Sequence, residues 1–264
     1  MLSQNQIKRV SALRIKKFRE EYGQFLAEGE KLAQEMLNSR FRIVEIYADA
    51  SWIISNLPLI RQKEIPVFET LPREMERISA LATPSPVLAV VQKPESGSQI
   101  SAPPIGHPSS GLNLALDDIH DPGNLGTIIR IADWFGIETV FCSEQSVELY
   151  NPKVVQATMG SITRVMVTRC DLAGLLSVCT GKIPVFGTFL EGENLFEQDL
   201  PSEGIILIGN ESRGISKELV PFVTKKLYIP SFGPSRLGKA ESLNASIAAA
   251  IICAEFRRKE KGEK

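Results

Sequence analysis

Polar residues that could bind a ligand or take part in group transfer concentrate in two short segments that contain glycine. In the first, Asn124 and Arg130 stand six residues apart at the start of a predicted helix. In the second, residues 209–214 read GNESRG and directly follow the apolar run IILI. Ligands in open α/β sheets bind at the carboxyl ends of strands, so the second segment predicts a binding loop. Both segments also have a structural interpretation, in which Asn124 caps a helix, Arg130 is solvated and GNESRG is a plain turn.

A third segment nearly matches a nucleotide-binding motif. Residues 233–240 read GPSRLGKA, which is close to the phosphate-binding pattern GxxxxGK[ST] and falls between a predicted strand and a predicted helix. However, Ala240 has no hydroxyl for magnesium, and Pro234 has no backbone N–H for the phosphate cradle. A phosphotransferase therefore stays a distant alternative.

Potential metal ligands crowd together just before Pro122: Asp117, Asp118, His120 and Asp121. Aspartate is common at such a position because its side chain caps turns, so the pattern favours a turn, and no metal is expected. His107, the only other histidine, lies in a stretch rich in Pro, Gly and Ser. A histidine-dependent catalytic triad is therefore not expected.

Four ordered motifs resemble one known family. They are LDDIHDPGNLGTIIRIADWFG (116–136), ILIGNESRGIS (206–216), KKLYIP (225–230) and AESLNASIAAA (240–250). Together they resemble the SpoU/TrmH branch of the SPOUT methyltransferases, which transfer a methyl group from S-adenosylmethionine to a ribose 2′-hydroxyl of RNA. The resemblance covers residues 112–264 and implies such an enzyme, acting on rRNA or tRNA. A non-catalytic RNA-binding module of the same fold is the alternative.

The resemblance also implies roles for the matched residues. The catalytic group would comprise Asn124, Arg130, Glu211, Ser242 and Asn244. The residues that bind S-adenosylmethionine would be Gly209, Asn210, Ile229, Pro230 and Leu243. Arg130 would either accept the proton of the ribose hydroxyl or orient an RNA phosphate that accepts it. The chain departs from the family pattern at SFGPSRLGKAE (231–241), which is longer than the usual connection around the cofactor.

Alternating apolar and amphipathic segments predict an α/β fold. Predicted strands are QFLAEG, IVEIYAD, PVLAVVQ, LNLALDD, ETVFCS, VMVTR, IPVFGTF, IILIG and KKLYI. Predicted helices include GEKLAQEMLN, PREMERISALA and PKVVQATMG. General topology rules favour an unknotted doubly wound sheet. The family resemblance instead implies a SPOUT α/β domain with a trefoil knot, working as a homodimer with its sites near the interface. The small residues of ASIAAAIICAEF (245–256) fit a subunit interface and burial within one subunit equally well.

A stretch rich in Pro, Gly and Ser at residues 92–111 predicts a linker between two domains. Residues 1–91 form a small α/β domain in this interpretation, and residues 112–264 form a larger one. The segment EYGQFLAEGEKLAQEML in the first domain resembles the L30e-like substrate-binding domain that is often fused to SpoU methyltransferases.

Basic residues are concentrated at the amino-terminal end. Between Met1 and Arg19 there are six basic residues and no acidic one. Such a segment can follow a phosphate backbone, although a solvated helix face explains it as well. The residues predicted to bind RNA are Lys8, Arg9, Arg14, Lys16 and Lys17.

Composition sets the remaining expectations. The net charge of −1 gives no general argument for a nucleic-acid partner. The chain has no run of about eighteen apolar residues and no signal-peptide pattern, so we expect a cytoplasmic protein without a membrane partner. The four cysteines show no CxxC pair, so they are expected to be small buried apolar residues.

Overall fold

A computed structural model describes residues 1–94, 108, 110–232 and 242–258. Contacts divide the chain into two compact units. Unit 1 consists of Met1–Gln99 and Glu148–Thr163, and unit 2 consists of Ile100–Val147 and Arg164–Lys264. The predicted linker lies largely outside the described residues, and the predicted domain boundaries stay a prediction.

Helices and strands alternate along the described chain. The helices are α1 Gln4–Ala12, α2 Lys16–Tyr22, α3 Glu30–Asn38, α4 Ala50–Gln62, α5 Pro72–Ile78, α6 Pro122–Trp134, α7 Pro152–Ala157, α8 Leu172–Cys179 and α9 Ala245–Arg257. The strands are β1 Gln24–Glu28, β2 Ile43–Ala48, β3 Val67–Glu69, β4 Val87–Gln92, β5 Leu112–Leu116, β6 Thr139–Cys142, β7 Met166–Arg169, β8 Val185–Asn194, β9 Gly204–Ile208 and β10 Lys225–Tyr228. The nine predicted strands are all present.

The sheet of unit 1 has the strand order β1-β4-β2-β3. Strand β4 runs antiparallel to both of its neighbours, whereas β2 and β3 are parallel. The core on one side includes Phe25, Trp52 and Tyr150. The rings of Phe25 and Tyr150 lie 4.6 Å apart between centroids, a favourable distance for an aromatic pair. Since Tyr150 precedes α7, this short segment completes the core of unit 1 although it is distant in sequence.

The basic residues at the amino-terminal end do not form one exposed set. Arg19 is only 2% exposed, forms an ion pair with Glu148, and donates hydrogen bonds to the carbonyl groups of Leu13 and Arg14. Arg9 forms an ion pair with Glu45. These two arginines therefore help to hold unit 1 together, while the side chains exposed to solvent are Lys8, Arg14, Lys16 and Lys17.

Helix α5 is shorter than predicted because a buried carboxylate binds the residues that follow it. The pattern PREMERISALA predicts a helix to Ala82, but α5 ends at Ile78 and Ser79 is extended. The carboxylate of Glu28, which is 3% exposed, accepts hydrogen bonds from the Ser79 hydroxyl and the Ala80 backbone N–H. A buried charge needs such partners, so this contact outweighs the local preference for helix.

A six-stranded parallel sheet with the order β10-β8-β9-β5-β6-β7 forms the centre of unit 2. Every residue of β5 and β9 is buried, as expected for parallel strands covered on both faces. Leu112 pairs with Gly204, and Leu116 pairs with Ile208. The two strands therefore end level, and the loops that follow them leave the same edge of the sheet.

All four cysteines are free, and three of them are buried. Burial raises the pKa of Cys142 and of Cys253 to about 12, so both thiols stay protonated at neutral pH. Cys170 is half-buried, and burial raises its pKa to about 11. Cys142, Cys179 and Cys253 are thus buried as predicted, whereas Cys170 is more exposed than predicted. Among the helices that the structure describes, none has the length and apolarity needed to cross a membrane.

Candidate active site

Three of the polar motifs of the sequence begin where strands of the parallel sheet end. Helix α6, which has Asn124 in its first turn, follows β5, the loop with Glu211 follows β9, and Ile229-Pro230 follows β10. Because parallel strands point their carboxyl ends to one edge, these segments share that edge of unit 2. Ser242 and Asn244 reach the same place from the start of α9, as their hydrogen bonds show.

The acidic residues after β5 form turns and caps. Asp121 caps α6 by accepting a hydrogen bond from the Asn124 backbone N–H at 2.8 Å. Asp117 accepts one from the Ser216 backbone N–H at 2.7 Å. Asp118 has a positive φ of 59° and forms ion pairs with His120 and Arg213. Within the described ranges there is no group of three or more residues that could hold a metal ion.

Gly209 lets the loop after β9 fold tightly back on itself. A Cβ atom at this position would lie 2.3 Å from the backbone carbon of Gly214 and 2.4 Å from the backbone nitrogen of Ile215. Neither backbone atom can move away cheaply, so any larger residue would open the loop. Asn210 closes the same loop, because its backbone N–H and carbonyl both bond to Gly214.

The side chain of Asn210 is also engaged, through both its oxygen and its nitrogen. Its Oδ1 accepts hydrogen bonds from the backbone N–H groups of Ser212 and Arg213, and its Nδ2 donates to the carbonyl of Asp118 at 2.9 Å. The structure therefore gives Asn210 the role of joining the loops after β5 and β9. The sequence motif contained this residue but gave no sign of that role.

Three predicted catalytic side chains form a continuous chain of hydrogen bonds. Asn244 donates from Nδ2 to Oδ1 of Asn124 at 2.9 Å, and Asn124 donates from Nδ2 to Oε1 of Glu211 at 2.5 Å. The direction of the chain is fixed at its start, since Oδ1 of Asn244 caps α9 by accepting from the backbone N–H groups of Ser246 and Ile247. Because the oxygen of the Asn244 amide accepts these bonds, its nitrogen must be the atom that donates to Asn124. The Asn124 oxygen is then the acceptor, so the Asn124 nitrogen faces Glu211.

The packing of α6 beside α9 supports this alignment. The two helices contact each other and run in the same direction. Asn124 and Asn244 join their amino-terminal ends, while Arg257 near the end of α9 donates to the carbonyl of Phe135 just after α6 at 2.9 Å. Residues that are 120 positions apart in sequence are thus held together by hydrogen bonds at both ends of a helix pair.

The other predicted site residues do not join this chain. Ser242 donates to the backbone carbonyl of Glu211 at 3.5 Å, a long hydrogen bond. Leu243 is 45% exposed, and Ile229 and Pro230 are half-buried. These three apolar residues therefore keep part of their hydrophobic surface exposed.

Arg130 lies six residues further along α6 than Asn124, which is less than two turns, on the exposed side of the helix. Six residues of helix correspond to about 9 Å along the axis. No residue in the described part of the chain bonds to its guanidinium, so the structure does not bring Arg130 into the hydrogen-bonded chain. The near-match to a phosphate-binding loop, Gly233–Ala240, lies outside the described residues, as does Glu241.

Comparison with known proteins identifies the family. A model described as the SpoU rRNA Methylase family matches residues 111–254, more than half of the chain. The chain belongs to this family. A second model, the MRM3-like substrate binding domain, matches residues 4–89 of this SpoU methylase. The predicted family and its additional substrate-binding domain are thereby confirmed.

Individual relatives extend over almost the whole chain. The 23S rRNA (guanosine(2553)-2′-O)-methyltransferase RlmP of Bacillus subtilis is 30% identical over 93% of this chain and 93% of its own length. A TrmH-family structure from Porphyromonas gingivalis has a TM-score of 0.82 and 39% identity, covering 98% of this chain and 99% of that one. An AdoMet-bound rRNA methyltransferase from Sinorhizobium meliloti has a TM-score of 0.83 and 28% identity, covering 98% and 96%.

These similarities confirm the predicted fold class and enzyme class. The protein has the α/β fold of SPOUT methyltransferases and is an RNA methyltransferase that uses S-adenosylmethionine. The trefoil knot stays a prediction, since residues 233–241 are outside the described ranges.

Proposed function

We propose that this protein methylates a ribose 2′-hydroxyl of ribosomal RNA, rather than transfer RNA, in the cytoplasm. The observation that carries the proposal is the hydrogen-bonded chain from Asn244 through Asn124 to Glu211, at the carboxyl ends of strands in the SpoU-matched part. The choice of ribosomal RNA is supported by the B. subtilis relative, which is named for 2′-O-methylation of 23S rRNA.

The described residues fit S-adenosylmethionine. The ligand has an apolar adenine face, a polar ribose and a charged amino-acid part. Apolar Ile229 and Pro230 follow β10 at the carboxyl edge of the sheet, and apolar Leu243 is next to Asn244 of the polar chain that ends at Glu211. Gly209, the first residue of the loop after β9, has no side chain that could obstruct a ligand at this position. When bound, the cofactor supplies a methyl group that is activated by its positively charged sulfur. Asn210, whose side chain is engaged within the protein, would shape this site rather than touch the ligand.

The protein's own residues must then position and activate a weak nucleophile. A ribose hydroxyl is hardly ionised at neutral pH, so orientation and local charge determine the rate. We assign Arg130 to this side of the reaction, because it is exposed and has no partner among the described residues. Arginine is normally fully protonated, so orienting a phosphate that accepts the proton is its simpler role. Glu211 and Asn124 would hold the reacting groups in place, with Ser242 beside them.

The direct test is methyl transfer to ribosomal RNA from isotopically labelled S-adenosylmethionine, followed by alkaline hydrolysis. Alkaline cleavage requires a free 2′-hydroxyl, so the labelled position should resist hydrolysis. Mapping resistant positions in total RNA, with and without the gene, would identify the target nucleotide. Label on a base, or label on transfer RNA alone, would contradict the proposal.

We also propose that the exposed basic residues of unit 1 bind RNA. Replacing Lys8, Arg14, Lys16 and Lys17 with glutamine is expected to weaken RNA binding and to flatten its dependence on salt. Each lost phosphate contact removes about 0.7–0.9 from the slope of log K against log salt concentration. Filter binding at several salt concentrations would measure the slope. As a control, methyl transfer at saturating RNA should stay near the wild-type rate, and an unchanged slope would instead support a solvated helix face.

The predicted homodimer is the third part of the proposal. Trp134 on α6 is 84% exposed and Ile247 on α9 is 52% exposed, and large apolar side chains this exposed are candidates for an interface. Sedimentation is expected to give about twice the chain mass of 29.1 kDa at low micromolar concentration. Trp134→Glu should shift the equilibrium to monomer, whereas Ile54→Glu, at an exposed residue of unit 1, should not. A monomer at all concentrations would contradict this part.

A further inference from the structure

The charges at the edge of the sheet present a problem for an enzyme whose substrate is a polyanion. Residues 117–121 and 209–214 contain four acidic residues: Asp117, Asp118, Asp121 and Glu211. The same two segments contain only two residues that can be positively charged, His120 and Arg213. An RNA phosphate that approached this edge would be repelled unless a cation lay in its path.

Arg213 is fixed at this edge by its backbone and by its side chain. Its backbone N–H donates to Oδ1 of Asn210 at 3.1 Å, within the loop that Asn210 and Gly214 close. Its guanidinium forms an ion pair with Asp118, whose side chain is only 14% exposed. The largely buried Asp118 carboxylate therefore fixes one side of the Arg213 guanidinium, although most of the Arg213 side chain is exposed.

Asp118 is itself held firmly. Its backbone N–H donates to the Ser143 hydroxyl at 2.8 Å, and its carbonyl accepts from Asn210 at 2.9 Å. Its second carboxylate oxygen, Oδ1, lies 2.5 Å from Nε2 of His120. The backbone at Asp118 is left-handed, a conformation that aspartate tolerates better than most residues. The position of Arg213 is therefore determined by a network and not by a single contact.

The rest of the Arg213 guanidinium is available to a ligand. The side chain is 66% exposed, and the described residues bond to it only through Nη2. A guanidinium has five N–H donors in a fixed fork that matches the oxygens of a phosphate. Arg213 also stands two residues after Glu211, so a phosphate bound there would lie close to the reacting ribose.

We propose that Arg213, oriented by Asp118, binds a backbone phosphate of the RNA next to the target nucleotide. Its role is to place the substrate, so that the correct ribose enters the site. The inference rests on the proposed function, since it requires RNA as the substrate. It adds a substrate-binding residue that the matched motifs do not assign.

The test compares Arg213→Ala with Arg258→Ala, using 23S ribosomal RNA transcribed in vitro. Arg258 is a matched control, because it is similarly exposed and also pairs with a carboxylate, Glu255 on α9. Arg213→Ala is expected to raise KM for RNA about tenfold and to lower the salt slope of RNA binding by about 0.7–0.9, with kcat within about twofold of wild type. Arg213→Lys should keep the wild-type salt slope and give a KM between those of the wild type and Arg213→Ala. The reason is that lysine keeps the positive charge but lacks the forked N–H donors of the guanidinium.

Calorimetry with S-adenosylmethionine separates this role from cofactor binding. The cofactor carries a carboxylate that a guanidinium could also bind, but we expect its Kd to be unchanged in Arg213→Ala. A wild-type salt slope and KM would overturn the inference, and so would a loss of cofactor affinity as large as the loss of RNA affinity. If the wild-type protein methylated no ribosomal RNA, the proposed function would fail, yet the salt slopes would still test Arg213 because they need no turnover.

Discussion

Replacing Arg130 with alanine is expected to lower the rate of methyl transfer about 100-fold or more, while the affinity for S-adenosylmethionine stays nearly unchanged. The guanidinium is exposed and has no partner in the described part of the chain, so its removal should not disturb the fold. Such surface substitutions usually change the free energy of unfolding by less than about 0.5 kcal/mol. A loss confined to turnover would therefore place Arg130 on the nucleophile's side of the reaction. Single-turnover methylation and calorimetry would measure the two quantities.

Arg164→Ala provides a suitable control for this variant. Arg164 is also partly exposed, and it forms an ion pair with Asp133 on the same helix as Arg130. Its replacement removes a positive charge from the same region but should leave methyl transfer close to the wild-type rate. An Arg130→Ala protein that methylates at a comparable rate to wild type would refute the assigned role. An equal loss of affinity for S-adenosylmethionine would indicate that Arg130 binds the methyl donor and not the RNA.

The strands and the site segments of unit 2 could be predicted because buried parallel strands have a distinctive sequence. Runs such as LNLAL and GIILI are apolar throughout, since both faces of β5 and β9 are covered. Polar segments directly after such runs must lie at the carboxyl edge of the sheet. This reasoning predicted the loop with Glu211 as a binding loop, whereas Asn124 was assigned to the site through the family resemblance.

The contacts that give those residues their function were not predictable in the same way. The bond between Asn244 and Asn124 joins positions 120 residues apart, and it depends on how α6 packs beside α9. The pairing of Asp118 with Arg213 depends on a left-handed backbone that no composition pattern indicates in an aspartate. Helix α4 was not among the helices predicted by name, and it contains Pro58, a residue that usually interrupts a helix. Such features arise from tertiary packing and not from local preference.

The hydrogen-bonded chain leads to a second large expected effect, in Asn244→Asp. Aspartate is as good a helix cap as asparagine, so the carboxylate should still accept the N–H groups of Ser246 and Ile247. The free energy of unfolding should therefore change by less than about 0.5 kcal/mol. The substitution removes the N–H donor to Asn124, however, and leaves two oxygens facing each other. The Asn124 amide would then have to rotate and present its own oxygen to Glu211.

That rotation would deprive the half-buried Glu211 carboxylate of the hydrogen bond from Asn124, and the loss of such a bond to a charged group costs about 1–3 kcal/mol. We therefore expect methyl transfer to fall about 10–100-fold in a protein that unfolds at nearly the wild-type temperature. Asn244→Ala should behave differently, because it loses the cap as well and should be destabilised by about 1 kcal/mol. Thermal unfolding and initial methylation rates of the two variants separate the effects. A wild-type rate for Asn244→Asp would show that Asn244 serves only to cap α9, and that the orientation of the Asn124 amide does not matter to the reaction.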